Sequence, residues 1–246
     1  MVMNRVLSAL LCLFSLSSAH AADGAKFRPI GFSSDARYFA FEQYGVQDGS
    51  GFAYTDVFVL DIQKDEWVKG TPLKVLLEDE TMSVLAVRAK AKKDSAEILN
   101  FFTIDTDAEF LAANPFTEVI ADRSKLTFHD HYNNAMGMYG TADNQGSWDL
   151  TTSKTTVPLP EGCEDDIGVV GFKLELKNGK TGALQVLHED KALPKSRSCA
   201  VGYDIEAVVQ PAGGSESGQL VAIIGVYRRG FEGADRRFIA VPFKFN

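Results

Sequence analysis

The sequence predicts a mainly β protein: antiparallel sheets, as a sandwich or a blade-like meander, with one long helix packed on a sheet. Three observations carry that expectation. Strand-like alternation dominates the last third of the chain, and a single 3.6-residue pattern occurs between Glu78 and Asn114. The strand–helix alternation of a doubly wound fold does not occur.

Elements follow in chain order. The opening MVMNRVLSALLCLFSLSSAHA has one positive charge at Arg5, an apolar run from Val6 to Leu16, and Ala19-His20-Ala21. That order of charged, apolar and small-x-small segments predicts a signal peptide over 1–21. Its apolar run is about half of the roughly 20 residues a membrane-crossing helix needs, so no stable membrane insertion is expected after cleavage. Residues 22–246 are expected to form one mostly-β domain, open to two packed subdomains: 22–160 with the helix, and 161–246 as an antiparallel sheet.

Phe27 to Phe41 holds two aromatic-rich runs around the turn Ser33-Ser34-Asp35-Ala36. In the next strand Val57, Val59 and Asp61 share one face, and Phe58, Leu60 and Ile62 the other. Val84, Leu85, Val87 and Arg88 begin a helical pattern that continues through Phe102, predicting a helix over 81–102 capped by Asp79 or Thr81. A short second helix is expected at 107–113, before Pro115. Strand-like runs then return at Lys125–His129, Trp148–Thr151 and Thr155–Val157. Asn178-Gly179 between alternating segments is a hairpin signal. Tyr203 to Val209 reads as a half-buried strand, and the almost wholly apolar Gln219–Tyr227 as a central one. Phe238 to Phe245 supplies a last run.

The formal charge of −8 argues against a nucleic-acid partner, because phosphate neutralisation needs a concentrated basic surface. With Cys12 in the leader, Cys163 and Cys199 remain, and an oxidising compartment admits one pairing, a disulfide. Two buried thiols are the alternative.

Two resemblances add to this reading. Phe32-Ser33-Ser34-Asp35-Ala36-Arg37-Tyr38-Phe39-Ala40-Phe41, followed by Val57-Phe58-Val59-Leu60-Asp61, resembles one blade of periplasmic β-propeller repeats. Ser34 and Ala36 stand where that motif has proline and glycine. No second copy occurs, so a complete propeller is not expected. The wider chain resembles a bacterial family of predicted secreted proteins with a domain of unknown function. The stretches that carry this are Gly31–Glu42, Ala89-Lys90-Ala91, Cys199 with Tyr203, Ile224–Gly233 and Asp235–Pro242. The resemblance implies a secreted or periplasmic protein of a Gram-negative bacterium and implies no activity.

Candidate sites are few. The segment Arg228 to Arg237 joins two strong strands and contains Arg228, Arg229, Phe231, Arg236 and Arg237. Such a loop could present guanidinium groups to a carboxylate, phosphate or acidic glycan, or could pin a hairpin through internal pairs. His129 and His131 share one side of an extended strand, and with His188 they could ligate zinc or copper. The acidic run Glu161–Asp166 could help hold calcium, although it lacks the spacing of an EF-hand loop. No cofactor is otherwise expected. None of G-x-S-x-G, H-E-x-x-H or a phosphate-binding glycine loop is present, which leaves no catalytic residue to name. The expected function is therefore non-enzymatic binding of an envelope protein or anionic envelope component. The alternatives are an envelope polysaccharide or peptide hydrolase and a periplasmic metal-binding protein.

Overall fold

The computed structural model describes residues 22–115, 122–129, 146–164, 167–214, 218–230 and 233–245. The leader at 1–21 lies outside them, as do His131 and Phe231.

Every strand pairing among the described residues is antiparallel, in three sheets. The first sheet begins as a meander of β1 (Lys26–Ser33), β2 (Tyr38–Val46), β3 (Ala53–Asp61) and β4 (Glu66–Trp67). It is completed by β5 (Leu73–Leu76), on the β4 side of β3, and by β6 (Ile104–Thr106) beside β1. This is the blade-like segment, and it belongs to no propeller or closed barrel. Its first turn is held by Ser33 and Asp35: Ser33 Oγ donates to Asp35 and accepts from the Tyr38 N–H. Ala36 takes the left-handed conformation, φ +55°, at the position where the blade motif has glycine.

The second sheet has the order β14 (Ala234–Lys244), β13 (Gln219–Arg229), β12 (Ala200–Pro211) and β7 (Ala108–Ala113). The third has the order β11 (Leu184–Glu189), β10 (Gly171–Asn178), β9 (Ser147–Thr155) and β8 (Lys125–His129). The pairings of β7 with β12 and of β9 with β10 both run across residue 160.

Strict alternation explains the stacking. Along β13, Leu220, Ala222, Ile224 and Val226 pack with Phe128, Leu150, Phe172 and Leu174 of the third sheet. Val221 and Ile223 point the other way, onto Phe32, Phe39, Phe41 and Phe58 of the first. The second sheet is thus covered on both faces, which is why β13 is apolar at nearly every position. Each such large side chain contributes on the order of 2 kcal/mol through burial.

The helix α1 (Val84–Phe101) covers the outer face of the first sheet, with Val87 and Ala91 against Ala53, Val57 and Val75. Two expectations are corrected here. The helix is capped by Ser83, whose Oγ accepts from the Ala86 N–H at 3.2 Å. Asp79 instead closes a local turn onto Thr81. The segment expected as a helix at 107–113 is the strand β7, because six residues nucleate a helix poorly and the edge of β12 offers them a full ladder. The run at 148–151 and Thr155 belong to one strand, β9, and Thr156 and Val157 lie beyond its end.

The hairpin at Asn178-Gly179 forms with a five-residue loop; Asn178 Oδ1 accepts from the N–H groups of Lys180 and Thr181. Gly179 is required there, since a Cβ would meet Ser147 Oγ at 2.2 Å. Cys163 and Cys199 form a disulfide, closing a loop with a sequence separation of 36.

Candidate functional site

Six elements bring cationic and aromatic side chains to one cavity of about 190 Å³. The first sheet supplies Phe58 on β3, Trp67 on β4 and Lys74 on β5. The second supplies Arg228 near the end of β13 and Arg237 on β14. The single helical turn Lys195–Arg197 adds Arg197. The carboxylate in this wall is Asp56, which accepts a hydrogen bond from Gln43 Nε2 at 3.0 Å.

Two of the arginines are held by internal acids. Arg237 donates to the Asp23 carboxylate and to its main-chain carbonyl, with its guanidinium over the Tyr54 ring. Asp23 also accepts from Tyr54 Oη at 2.7 Å, and burial pushes the Tyr54 hydroxyl far above its ordinary pKa. Arg197 pairs with Asp190 at 2.6 Å and lies 5.3 Å over Phe172.

Arg228 differs from both. It is half-buried, and its guanidinium makes no hydrogen bond or ion pair with any described residue. Asp235 stands opposite it in the β13–β14 register, but the Asp235 carboxylate accepts from the Asp23 N–H instead. Burial, and then the like charge of Arg237, hold the Arg228 guanidinium below its ordinary pKa. Arg228 also lines a wider cavity of about 510 Å³ with Arg229, Glu164, Asp235 and the disulfide at Cys199. It is therefore the wall shared by two cavities, and its guanidinium hydrogen-bond donors are open to an anion entering either.

The structure divides the arginines singled out from sequence. Arg228 and Arg237 meet in the inner cavity, and Arg229 is exposed at the outer one. Arg236 turns inward: it is 8% exposed, donates to the Ala25 carbonyl and lies 3.7 Å from Glu206. Phe231 lies outside the described residues. Sequence reasoning missed Arg197, Trp67 and Lys74, which come from separate elements and form no local motif.

His129 and His188 do not converge. His129 is on β8 and His188 on β11, the opposite edges of the third sheet. His188 is within hydrogen-bonding distance of Asp190, at 2.9 Å, and is stacked on Phe172. Among the described residues no group of three His, Cys, Asp or Glu side chains is arranged to hold a metal ion. Of the acidic run, Asp165 and Asp166 lie outside the described residues.

No described helix is long and apolar enough to cross a membrane. No curated protein and no solved structure matches the chain. One protein family does, described as predicted secreted protein (DUF2259), and the match spans residues 40–244. That span includes Trp67, Arg197, Arg228 and Arg237, and by this match the chain belongs to the DUF2259 family of predicted secreted proteins.

Proposed function

We propose that this secreted protein is a non-enzymatic binding module of the Gram-negative periplasm that takes an anionic group of an envelope component beside Arg228. The observation that carries the reading is the half-buried Arg228 guanidinium, which makes no hydrogen bond or ion pair with a described residue, in a wall that also contains Arg197 and Arg237. A buried cation without a partner destabilises a fold, so its retention is understandable where a ligand supplies the missing charge. Guanidinium groups suit the paired oxygens of a carboxylate or phosphate, and Trp67 offers an aromatic wall to the body carrying that group.

The test is calorimetric titration of the purified, disulfide-intact protein with inorganic phosphate, glucuronate and an acidic envelope oligosaccharide. A parallel capture from an envelope extract uses an Arg228→Glu/Arg229→Glu control. The reading expects saturable binding of at least one anion, weakened at least tenfold in the charge-reversed protein. Binding of none, or equal binding by both proteins, overturns it. Cleavage of the oligosaccharide by the wild type would replace binding with hydrolysis.

A further inference from the structure

A second cavity, of about 420 Å³, lies on the other side of the first sheet, between its outer face and the flank of α1. It lies in the range of small-molecule sites, about 300–1,000 Å³. Its floor is a lateral row in register across three strands: Arg28 on β1, Glu42 on β2 and Val57 on β3. Its wall is a helical stripe next to the one that packs on the sheet, containing Leu85, Arg88, Lys92 and Leu99. Leu85 is 73% exposed, an apolar side chain that the fold itself does not bury.

The chemistry is amphipathic. Arg88 grips the Glu42 carboxylate through two nitrogens and lies 4.1 Å over the Tyr44 ring, so its position is fixed. Arg28 shares the same carboxylate at 3.5 Å. Lys92 has no ion pair with a described residue, which leaves three cations against one acid. Ile30, Val57, Leu85 and Leu99 give the rest of the lining an apolar character.

Shape selects the occupant. Leu85 and Leu99 are separated by fourteen residues of helix, about 21 Å. A volume of 420 Å³ spread along that length is a long, narrow channel. The channel lies over the face of the sheet and not along an edge, so an extended peptide would find no ladder for its amides. An acyl chain needs none.

We infer that this channel binds a single-chain anionic amphiphile, its acyl chain along the flank of α1 and its carboxylate or phosphate head at Arg28 and Lys92. Lys92 is midway between the two leucines, so the chain occupies one arm of the channel, about 10 Å long, the one that ends at the exposed Leu85. The optimum is therefore a medium-length chain, with affinity rising about fourfold per methylene until that arm is filled. This site is independent of the Arg228 cavity.

The experiment is calorimetric titration with octanoate, dodecanoate and dodecyl phosphate, each below its micellar concentration, with dodecanol as the neutral comparison. The expected result is one saturable site per chain for the anions, with dodecanol at least tenfold weaker. Leu85→Glu and Lys92→Glu should each weaken the anions at least tenfold, whereas Lys180→Glu, on the β10–β11 loop, should not. Leu85 and Lys92 are exposed, so an unchanged urea midpoint should accompany both variants. Comparable binding in the Leu85→Glu and Lys92→Glu proteins, equal affinity for dodecanol, or no saturable binding of any anion overturns the inference. Preference between dodecanoate and dodecyl phosphate identifies the head group.

Discussion

The Asp23 carboxylate holds the Arg237 guanidinium, and this pair ties the start of the described chain to its last hairpin. Residues 23–25 lie along β14, with the Ala25 N–H on the Arg236 carbonyl and the Arg236 N–H on the Asp23 carbonyl. Asp23 is almost fully buried and also receives Tyr54 Oη. Removing its side chain leaves a largely buried guanidinium with main-chain acceptors but no counter-charge, and a buried hydroxyl without its acceptor. Asp23→Ala should therefore lower stability by about 3 kcal/mol. Urea unfolding of the two proteins measures this, and a change below about 1 kcal/mol would show that solvent replaces the pair.

Arg228 makes the opposite prediction. It has no hydrogen bond or ion pair with a described residue to lose, and burial outweighs the distant charges of Asp235 and Asp23, so Arg228→Met should leave stability unchanged or raise it by up to about 1 kcal/mol. Arg236→Met should cost about 3 kcal/mol, because Arg236 is 8% exposed, donates to the Ala25 carbonyl and forms an ion pair with Glu206. The contrast separates a guanidinium that holds the hairpin from one available to a ligand. If both variants lose stability equally, Arg228 is a structural residue.

The central strand was legible because both its faces are covered: Leu220, Ala222 and Ile224 face one neighbour and Val221 and Ile223 the other, so the run is apolar throughout. Ala108–Ala113 was not, since Ala, Glu and Leu favour helices and only the β12 edge, distant in sequence, makes the segment a strand. The cap was missed for a related reason. Asp79, Thr81 and Ser83 are all plausible caps, and packing of Val87 and Ala91 on the sheet chooses among them. At the site, four clustered arginines were visible as composition. Their fates were not, because Asp23 and Glu206 reach Arg237 and Arg236 from remote segments while nothing comparable reaches Arg228. Trp67 and Arg197 join the cavity through tertiary structure alone.

Asp190 should make stability acid-sensitive. Its carboxylate accepts from the Phe172 N–H and from Arg197, and His188 Nε2 lies 2.9 Å away. Burial pulls this carboxyl upward, but the hydrogen bonds from His188, Arg197 and Phe172 outweigh it and hold the pKa below its ordinary value. A depressed native pKa contributes stability that is fully present above the unfolded-state value, about 4, and lost as pH falls through the native one. The stability difference between wild type and Asp190→Asn should thus stay level above about pH 4 and narrow below it. Urea titrations from pH 7 to pH 2.5 check this; narrowing already between pH 7 and 5 would point to another group.

The disulfide gives the last prediction. Cys199 follows directly on the turn that places Ser196 and Arg197 in the inner cavity, and its own atoms line the outer one. Closing a loop with a separation of 36 restricts the unfolded chain, an effect of about 3–4 kcal/mol in the chain-entropy treatment. The double variant Cys163→Ser/Cys199→Ser should lose stability by that amount. Reduction of the wild type should lower its urea midpoint to that of the variant, and the variant should not respond to reductant. Arg197 retains Asp190 in both states, so the inner cavity should persist in the reduced protein while the outer one, walled by the bridge, loosens. Hydrogen exchange at Ser198 and Cys199 should then rise on reduction more than exchange at Phe172, whose N–H is held by Asp190. Equal increases at all three amides would mean that the bridge secures the whole third sheet and not only this turn.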